Sequence, residues 1–589
     1  MDVRLGCFGL AAVAAVYLGF LGVSVAHAEA FIKRGGYYVL LLTFGLWVYF
    51  LWRLWLEPVT ADARWSRREK ISVGLGILLL TGVAVAQETF RSKILNDEFV
   101  LQSTAFNMHF FRDVATMVRG YDILGTFLST DNPLDKRPNF FPFLISLVHD
   151  FTGYRSTNAF YLNTGLLAVT LWLAYHIGRG LAGWRGGALA VGLLGTLPLF
   201  TQNATGSGME LLNLTMLLAA VALAGAYLAK PDETHLSALV LAAVLLTECR
   251  YESALYVLPV ALIVLAGWWQ TRQITLSWAA VIIPLLLVPA ALHNKVLSNS
   301  PALWEMKANQ TSRFSAEYVA DNVRGAAEFL FANVSQQANS LLLSILGGAA
   351  LVWALVWFLV RRPSPVRMQP GQLAWLGIGL GIVTNTVLVM FYYWASFADP
   401  MAARFCLPFY LLLVFAAVMF VRWLDRRLPA TVVLLFVMGL FFLGSSIPKQ
   451  AQHRYSHLGI DEIEWEKRFV AARPPGPRLV ISNKSALPWL LERTPSIVLD
   501  RARLVADRLH HQLELGSFTE IFVLQTSRPT SVDGDYQILA EDKLPVGFEL
   551  ELLAEKRFGT KLARISRLVS VTLPPAPAAV ATTPAATTR

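Results

Sequence analysis

Residues 71–99 read ISVGLGILLLTGVAVAQETFRSKILNDEF, and this stretch decides the fold. Its first part is apolar up to about Ala86. A run of roughly twenty apolar residues is long enough to cross the hydrocarbon core of a bilayer. About ten residues later stand two adjacent carboxylates, Asp97 and Glu98. The next sixty or so residues include Lys136-Arg137-Pro138-Asn139-Phe140-Phe141-Pro142. They are too polar to span a membrane and too aromatic for a plain solvated loop. A membrane scaffold holding this loop at one face of the lipid is the expectation.

Composition agrees with the scaffold. The 589 residues are 55% apolar and 15% charged, with a mean hydropathy of +0.50. Soluble domains carry roughly 25% charge, so the chain reads as a polytopic membrane protein. Cys7, Cys249 and Cys406 form no spacing for disulfides or zinc. No basic run interleaves with aromatics, which sets nucleic acid aside. The N-terminus resembles a signal peptide, with Arg4, an apolar run and Ala26-His27-Ala28. The run is longer than the roughly 7–15 residues of a signal core, so a retained helix is expected.

About thirteen spans are expected, at 5–27, 36–56, 71–87, 159–178, 187–205, 209–229, 236–248, 253–269, 274–292, 338–360, 371–393, 404–421 and 429–447. The pair 236–248 and 253–269 reads equally as a hairpin or as one interrupted helix. With the N-terminus inside, the cytoplasmic loops hold Arg64, Arg67, Arg68 and Lys70; Arg179 and Arg185; Lys230; Arg272; Arg361, Arg362 and Arg367; and Arg422, Arg426 and Arg427. This follows the positive-inside tendency, with Lys33 and Arg34 as an exception. The outward regions are then the loops 88–158 and 293–337 and everything after about 448. An amphipathic helix on the membrane surface is expected around Thr104 to Arg119, with Phe106, Phe110, Val114 and Met117 on one side.

The organisation is therefore extra N-terminal spans in 1–70, a transmembrane module in 71–448, a small α/β domain in 449–570 and a disordered Pro/Ala/Thr-rich tail in 571–589. Strands are expected at Arg478–Ser482, Ser496–Asp500 and Glu520–Leu524, with a helical segment from Ala486 to Arg493.

The chemistry gathers in the outward loops. Asp97 and Glu98 are a general base pair, a cation site or simply the charged start of a helix. Lys136 and Arg137 suit a phosphate-bearing substrate or lipid headgroups. Glu210 opens a span after a polar stretch, and Arg404 enters a late span where it could reach a phosphate. Glu248, Arg250 and Glu252 lie between two short apolar runs and read first as an ion pair at a helical break. Asp399, Arg313 and Arg324 are weaker candidates, and His109 and His149 read as structural. No Walker loop, dinucleotide motif or Gly-x-Ser-x-Gly elbow is present.

Four of these features together resemble the GT-C membrane glycosyltransferases, in the branch of protein mannosyltransferases and aminoarabinose transferases. They are Asp97-Glu98 after a span, the basic-Pro-aromatic stretch from Lys136 with Gly153-Tyr154, the acidic Glu210 at a helix opening, and Arg404-Phe405 with Pro408. The resemblance covers about 71–425. It implies sugar transfer from a polyprenyl-phosphate carrier to a hydroxyl of a lipid, glycan or protein, on the outer face of a bacterial inner membrane. It also implies Asp97 as base, Glu98 and Glu210 as supporting acids, and Arg137 with Lys136 and Arg404 on the donor phosphate. Arg137-Pro138-Asn139 departs from the usual Lys-Pro-Pro. No cofactor is called for, and a divalent metal is left open because paired acids could bind one. The competing readings are a transporter or flippase, or a polymerase, of lipid-linked saccharides; a transporter would show repeated halves, and the chain shows none.

Overall fold

The computed structural model describes residues 2–57, 65–123, 126–300, 304, 306, 310, 312–361, 368–426, 429–455, 458–530 and 536–573. Arg64, Arg362, Arg367, Arg427 and residues 574–589 of the expected tail lie outside the described residues. The chain divides into two compact units, one of residues 1–116 and 133–457, the other of 117–132 and 458–589.

The first unit is helical. Its elements are α1 (Asp2–Val16), α2 (Val25–Trp55), α3 (Arg67–Gln87), α4 (Leu95–Phe111), α5 (Phe140–Thr152), α6 (Asn158–Gly195), α7 (Pro198–Ala204), α8 (Glu210–Ala229) and α9 (Glu233–Thr247). They continue with α10 (Val257–Thr271), α11 (Trp278–Leu286), α12 (Val288–Ser298), α13 (Val319–Phe331), α14 (Leu341–Arg361), α15 (Pro370–Met390), α16 (Leu407–Leu424), α17 (Ala430–Phe441) and α18 (Ile447–Tyr455). Helix starts are written in the sequence. Ser24, Ser66, Asp232 and Ser277 each cap a helix by accepting a backbone N–H three residues on. Gly183, at φ +71°, breaks α6 beside Ala182 into two segments, a backbone state glycine adopts without a Cβ penalty.

Among the described residues, eleven helices are long and apolar enough to cross a membrane. The kinked α6 is one of them, and the shorter apolar α9 is not. The expectation of thirteen crossings therefore depends on counting α6 twice and adding α9. α9 and α10 pack on one another as a hairpin. Centre and periphery differ sharply: 83% of the apolar window in α8 and 78% of that in α16 is buried, against 11% in α3. The exposed positions are apolar, as on α14 with Val352, Leu355 and Leu359, which suits a lipid-facing surface. Close helix approach uses small residues: a Cβ on Gly347 of α14 would come within 3.0 Å of Leu413 Cα on α16.

One expectation is corrected. The helix in the 88–158 loop is α4, Leu95–Phe111, and it starts nine residues before Thr104. Residues 98–108 of it are buried, so it is a packed helix rather than one lying on a surface. It ends at Arg112, which takes a left-handed φ of 56°, so Val114 and Met117 lie beyond it. Asp97 and Glu98 consequently occupy its first turn.

The second unit is an eight-stranded mixed sheet in the order β2-β1-β4-β3-β5-β8-β7, with β6 beside β5. The strands are β1 (Arg119–Ile123), β2 (Thr126–Thr130), β3 (Arg478–Ser482), β4 (Ser496–Val498), β5 (Glu520–Pro529), β6 (Tyr536–Ile538), β7 (Phe548–Phe558) and β8 (Lys561–Val571). β3 pairs in parallel with β4 and β5, and the other pairs are antiparallel. Alternation along β3 and β5 sends Leu479, Ile481, Ile521 and Val523 to one face and Val480, Phe522 and Leu524 to the other. The first face packs on α21 (Leu499–Leu504) and α22 (Ala506–Glu514) through Ala502 and Leu509. The second packs on α19 (Leu458–Ala471) and α20 (Leu487–Leu490) through Val470 and Trp489. The β1–β2 hairpin comes from the loop between α4 and α5, so that loop is not one continuous piece of the first unit.

Candidate active site

The site starts from the way α4 begins. Glu98 turns back: Oε2 accepts the N–H of Ile94 at 3.0 Å and that of Lys93, and Oε1 accepts the N–H of Ser207 at 2.6 Å. It thereby ties the N-terminus of α4 to the segment that leads into α8. A Cβ on Gly206 would come within 2.7 Å of Glu98 Oε1, so a side chain is excluded there. Lys93 reaches Glu88 at 3.0 Å, and Glu88 lies 3.2 Å from His453 Nδ1. Burial pushes the Glu98 carboxyl up to about 7, against the pull of its three N–H donors.

With Glu98 occupied, Asp97 points to the charged groups. Its Oδ1 accepts Arg137 Nε at 3.0 Å and also Arg137 Nη2; its Oδ2 accepts Arg404 Nη2. Burial alone would raise the Asp97 pKa, but the Arg404 and Arg137 guanidiniums outweigh it and hold the carboxyl well below the usual carboxylate range. Arg137 Nη1 also grips Asp135 at 2.9 and 3.0 Å. His293 Nε2 lies 2.8 Å from the Asp135 carbonyl and anchors that segment.

On the far side, Arg404 Nη1 donates to Glu210 Oε1 at 3.0 Å, and Arg250 Nη1 donates to the same oxygen at 3.0 Å. Arg250 Nε then reaches Glu252 at 2.5 Å. The result is one alternating chain: Asp135, Arg137, Asp97, Arg404, Glu210, Arg250, Glu252. The Phe405 ring carries the Arg250 and Arg404 guanidiniums at 4.9 and 5.6 Å. Arg404 Nε and Glu210 Oε2 are buried without a hydrogen-bond partner among the described residues. Each of the three guanidiniums and the two inner carboxylates, Asp97 and Glu210, is paired on both sides, so none of them is left as an uncompensated buried charge.

Of the six residues singled out in the sequence, Asp97, Arg137, Glu210 and Arg404 come together here. Glu98 is turned to backbone donors. Lys136 lies over the Trp304 ring at 5.3 Å, with Arg313 over the same ring at 4.6 Å. Asp399 accepts the Met401 N–H, Arg324 is exposed beside Asp321, and His109 faces Asp150. The sequence reading missed Asp135 and did not connect Arg250 and Glu252 with Asp97. The ion pair expected at the break after α9 does form, and its extension to Glu210 makes it part of the site. Both oxygens of Asp97 and Oε1 of Glu210 are engaged by guanidiniums, whereas Glu210 Oε2 has no hydrogen-bond partner among the described residues.

The sequence matches no family profile and no curated protein. Solved structures do match. ArnT from Cupriavidus metallidurans bound to undecaprenyl phosphate superposes with a TM-score of 0.52 at 12% identity, over 85% of this chain and 98% of that one. Its apo form gives 0.50 at 12%, over 84% and 98%. A weaker match, with a TM-score of 0.39, is the Archaeoglobus fulgidus oligosaccharyltransferase. A bundle of apolar helices and a sheet domain, matched over nearly the whole of the ArnT chain, give this protein the fold of ArnT.

Proposed function

We propose that the protein transfers a sugar from a polyprenyl-phosphate carrier to a hydroxyl of a lipid, glycan or protein at the outer face of a bacterial inner membrane. The observation that carries this reading is Asp97 held between Arg137 and Arg404 at the start of a helix that lies between membrane spans. Such a site has a base for one partner and cations for the other. ArnT, whose fold the chain shares, has been seen with undecaprenyl phosphate.

In the proposed reaction the acceptor oxygen attacks C1 of the sugar. The bond from C1 to the phosphate oxygen breaks, with inversion at C1. Asp97 takes the hydroxyl proton, and Arg137 and Arg404 hold the charge that develops on the departing polyprenyl phosphate. No nucleotide is needed, because the donor carries its own leaving group. Glu210 and Arg250 orient Arg404, and Glu98 keeps the start of α4 in place.

The outer-face assignment is supported by charge along the helices. α8 begins at Glu210 and is followed by Lys230; the segment after Arg250 ends at Arg272; the span that begins beside Arg404 is followed by Arg422 and Arg426. The site, with its arginines paired to carboxylates, thus stands at one end of these helices and Lys230, Arg272, Arg422 and Arg426 at the other, and basic ends favour the cytoplasm.

The test is transfer by purified protein from a polyprenyl-phosphate sugar to candidate hydroxyl acceptors. Loss of a general base costs about 10²- to 10⁴-fold, so Asp97→Asn should lose transfer by that factor. Full activity in that variant would overturn Asp97 as the base.

A further inference from the structure

We infer that donor binding and release of the base are a single ion-pair exchange, in which the donor phosphate takes Arg137 and Arg404 away from Asp97. This rests on the reading above and specifies how that site is controlled.

Both Asp97 oxygens are occupied by guanidinium N–H groups. In that state three N–H donors take three of the roughly four acceptor sites of the carboxylate, and it has little basicity to offer, since its two cationic partners favour the charged form. The cations are equally committed. Arg137 divides its donors between Asp97 and Asp135, and Arg250 between Glu210 and Glu252. An arriving phosphate therefore finds each guanidinium of the alternating chain already on a carboxylate, and it takes Arg137 and Arg404 through their paired donors only by displacing one.

Asp97 is the carboxylate placed to yield. Glu210 is 2% exposed and holds two arginines through one oxygen. Asp135 accepts the Arg137 backbone N–H at 2.9 Å as well as its side chain, and its own carbonyl is fixed by His293. Among the described residues the Asp97 carboxylate is held by the two guanidiniums, and it bridges them. Arg404 also keeps a buried Nε with no partner among the described residues, a donor left over for a further anion.

The phosphate takes over the pairing of the two cations, so neither guanidinium is left as an uncompensated buried charge, while Asp97 keeps its charge and is left to meet the acceptor hydroxyl. The consequence of the exchange is order. Without donor, Asp97 is tied and cannot activate water or acceptor. With donor seated, Asp97 is freed beside the sugar, where the acceptor hydroxyl needs a base.

The test is the affinity of undecaprenyl phosphate for the full chain in nanodiscs. A charge-assisted hydrogen bond is worth about 1.5–3 kcal/mol, or about ten- to a hundredfold in affinity. Asp97→Asn, which removes the competitor, should bind the lipid phosphate about tenfold or more tightly than wild type, although it has lost transfer. Arg137→Gln should bind it about tenfold or more weakly. Glu252→Gln removes the same charge from the chain without freeing Arg137 or Arg404, and should gain much less than Asp97→Asn. Asp135→Asn, which frees Arg137 on its other side, is the second competitor variant and should also gain more than Glu252→Gln. It decides the question if Asp97→Asn does not fold. Equal affinity in wild type and competitor variants, or equal gains in Asp97→Asn and Glu252→Gln, would overturn the exchange while leaving the glycosyl-transfer reading intact. If undecaprenyl phosphate binds no form of the protein, the exchange falls together with that reading.

Discussion

At Glu98 three backbone N–H groups converge on one carboxylate, while its neighbour Asp97 meets only guanidiniums. Adjacent residues in the first turn of a helix diverge by about 100° around its axis, so one can serve the fold and the other the site. The Glu98 carboxyl has an ordinary value of 4.5 and is pushed up to about 7 by burial. Between those values the folded protein holds a proton that the unfolded chain has released. This group therefore favours the folded state at low pH, and the contribution is lost as pH rises through about 7. Thermal midpoints of wild type should fall between about pH 5 and pH 8, and less steeply in Glu98→Gln. That variant also sets an amide N–H against a backbone N–H, which costs about 1–3 kcal/mol. The protein that does fold should keep transfer activity. A complete loss of transfer in folded Glu98→Gln would instead put this carboxylate in the chemistry.

At the scale of elements, the segment between α7 and α8 matters because glycine is needed in it for space. Gly208 lies directly against Glu210 Oε2, so a Cβ there would overlap the carboxylate. Gly208→Ala should shift Glu210, loosen Arg404 and lower transfer about tenfold or more, the scale expected when a charge-assisted hydrogen bond is weakened. Stability should change little, since the neighbouring helices are untouched; a fully active Gly208→Ala would separate Glu210 from the site. Apart from Asp135, the individual acids and cations of this site were legible in the sequence, because ionisable residues beside apolar runs are costly and stand out. Their connection was not. Arg250 and Glu252 read as a local ion pair, since nothing in sequence spacing says that the break after α9 lies beside the entry to α16. α4 was misread because Phe106, Phe110, Val114 and Met117 fit a helical stripe, while the left-handed Arg112 that ends the helix leaves no sequence signature. The β7–β8 hairpin, by contrast, was available and missed: two long runs meet at Gly559-Thr560, a two-residue hairpin signal. The β1–β2 hairpin joins β4 across more than 350 residues, a pairing beyond any local pattern.

At the scale of the whole molecule, apolar run length carried the helix bundle and charge asymmetry carried its expected orientation. These are bulk properties and survive errors of a few residues at any boundary. The orientation has a direct check. In a Cys7→Ser background the remaining cysteines, Cys249 and Cys406, are buried. Gln273→Cys should then react with an impermeant thiol reagent only from the cytoplasmic side, and Ser517→Cys only from the outer side. The reverse pattern would place Asp97 in the cytoplasm and remove the outer-face reaction. The central claim, that the alternating chain from Asp135 to Glu252 is where a lipid phosphate is received, is tested most directly by a cryo-EM structure of the full chain with undecaprenyl phosphate. The account predicts phosphate density within hydrogen-bond reach of Arg137 and Arg404, with Asp97 separated from both. Phosphate density away from these two arginines would contradict it.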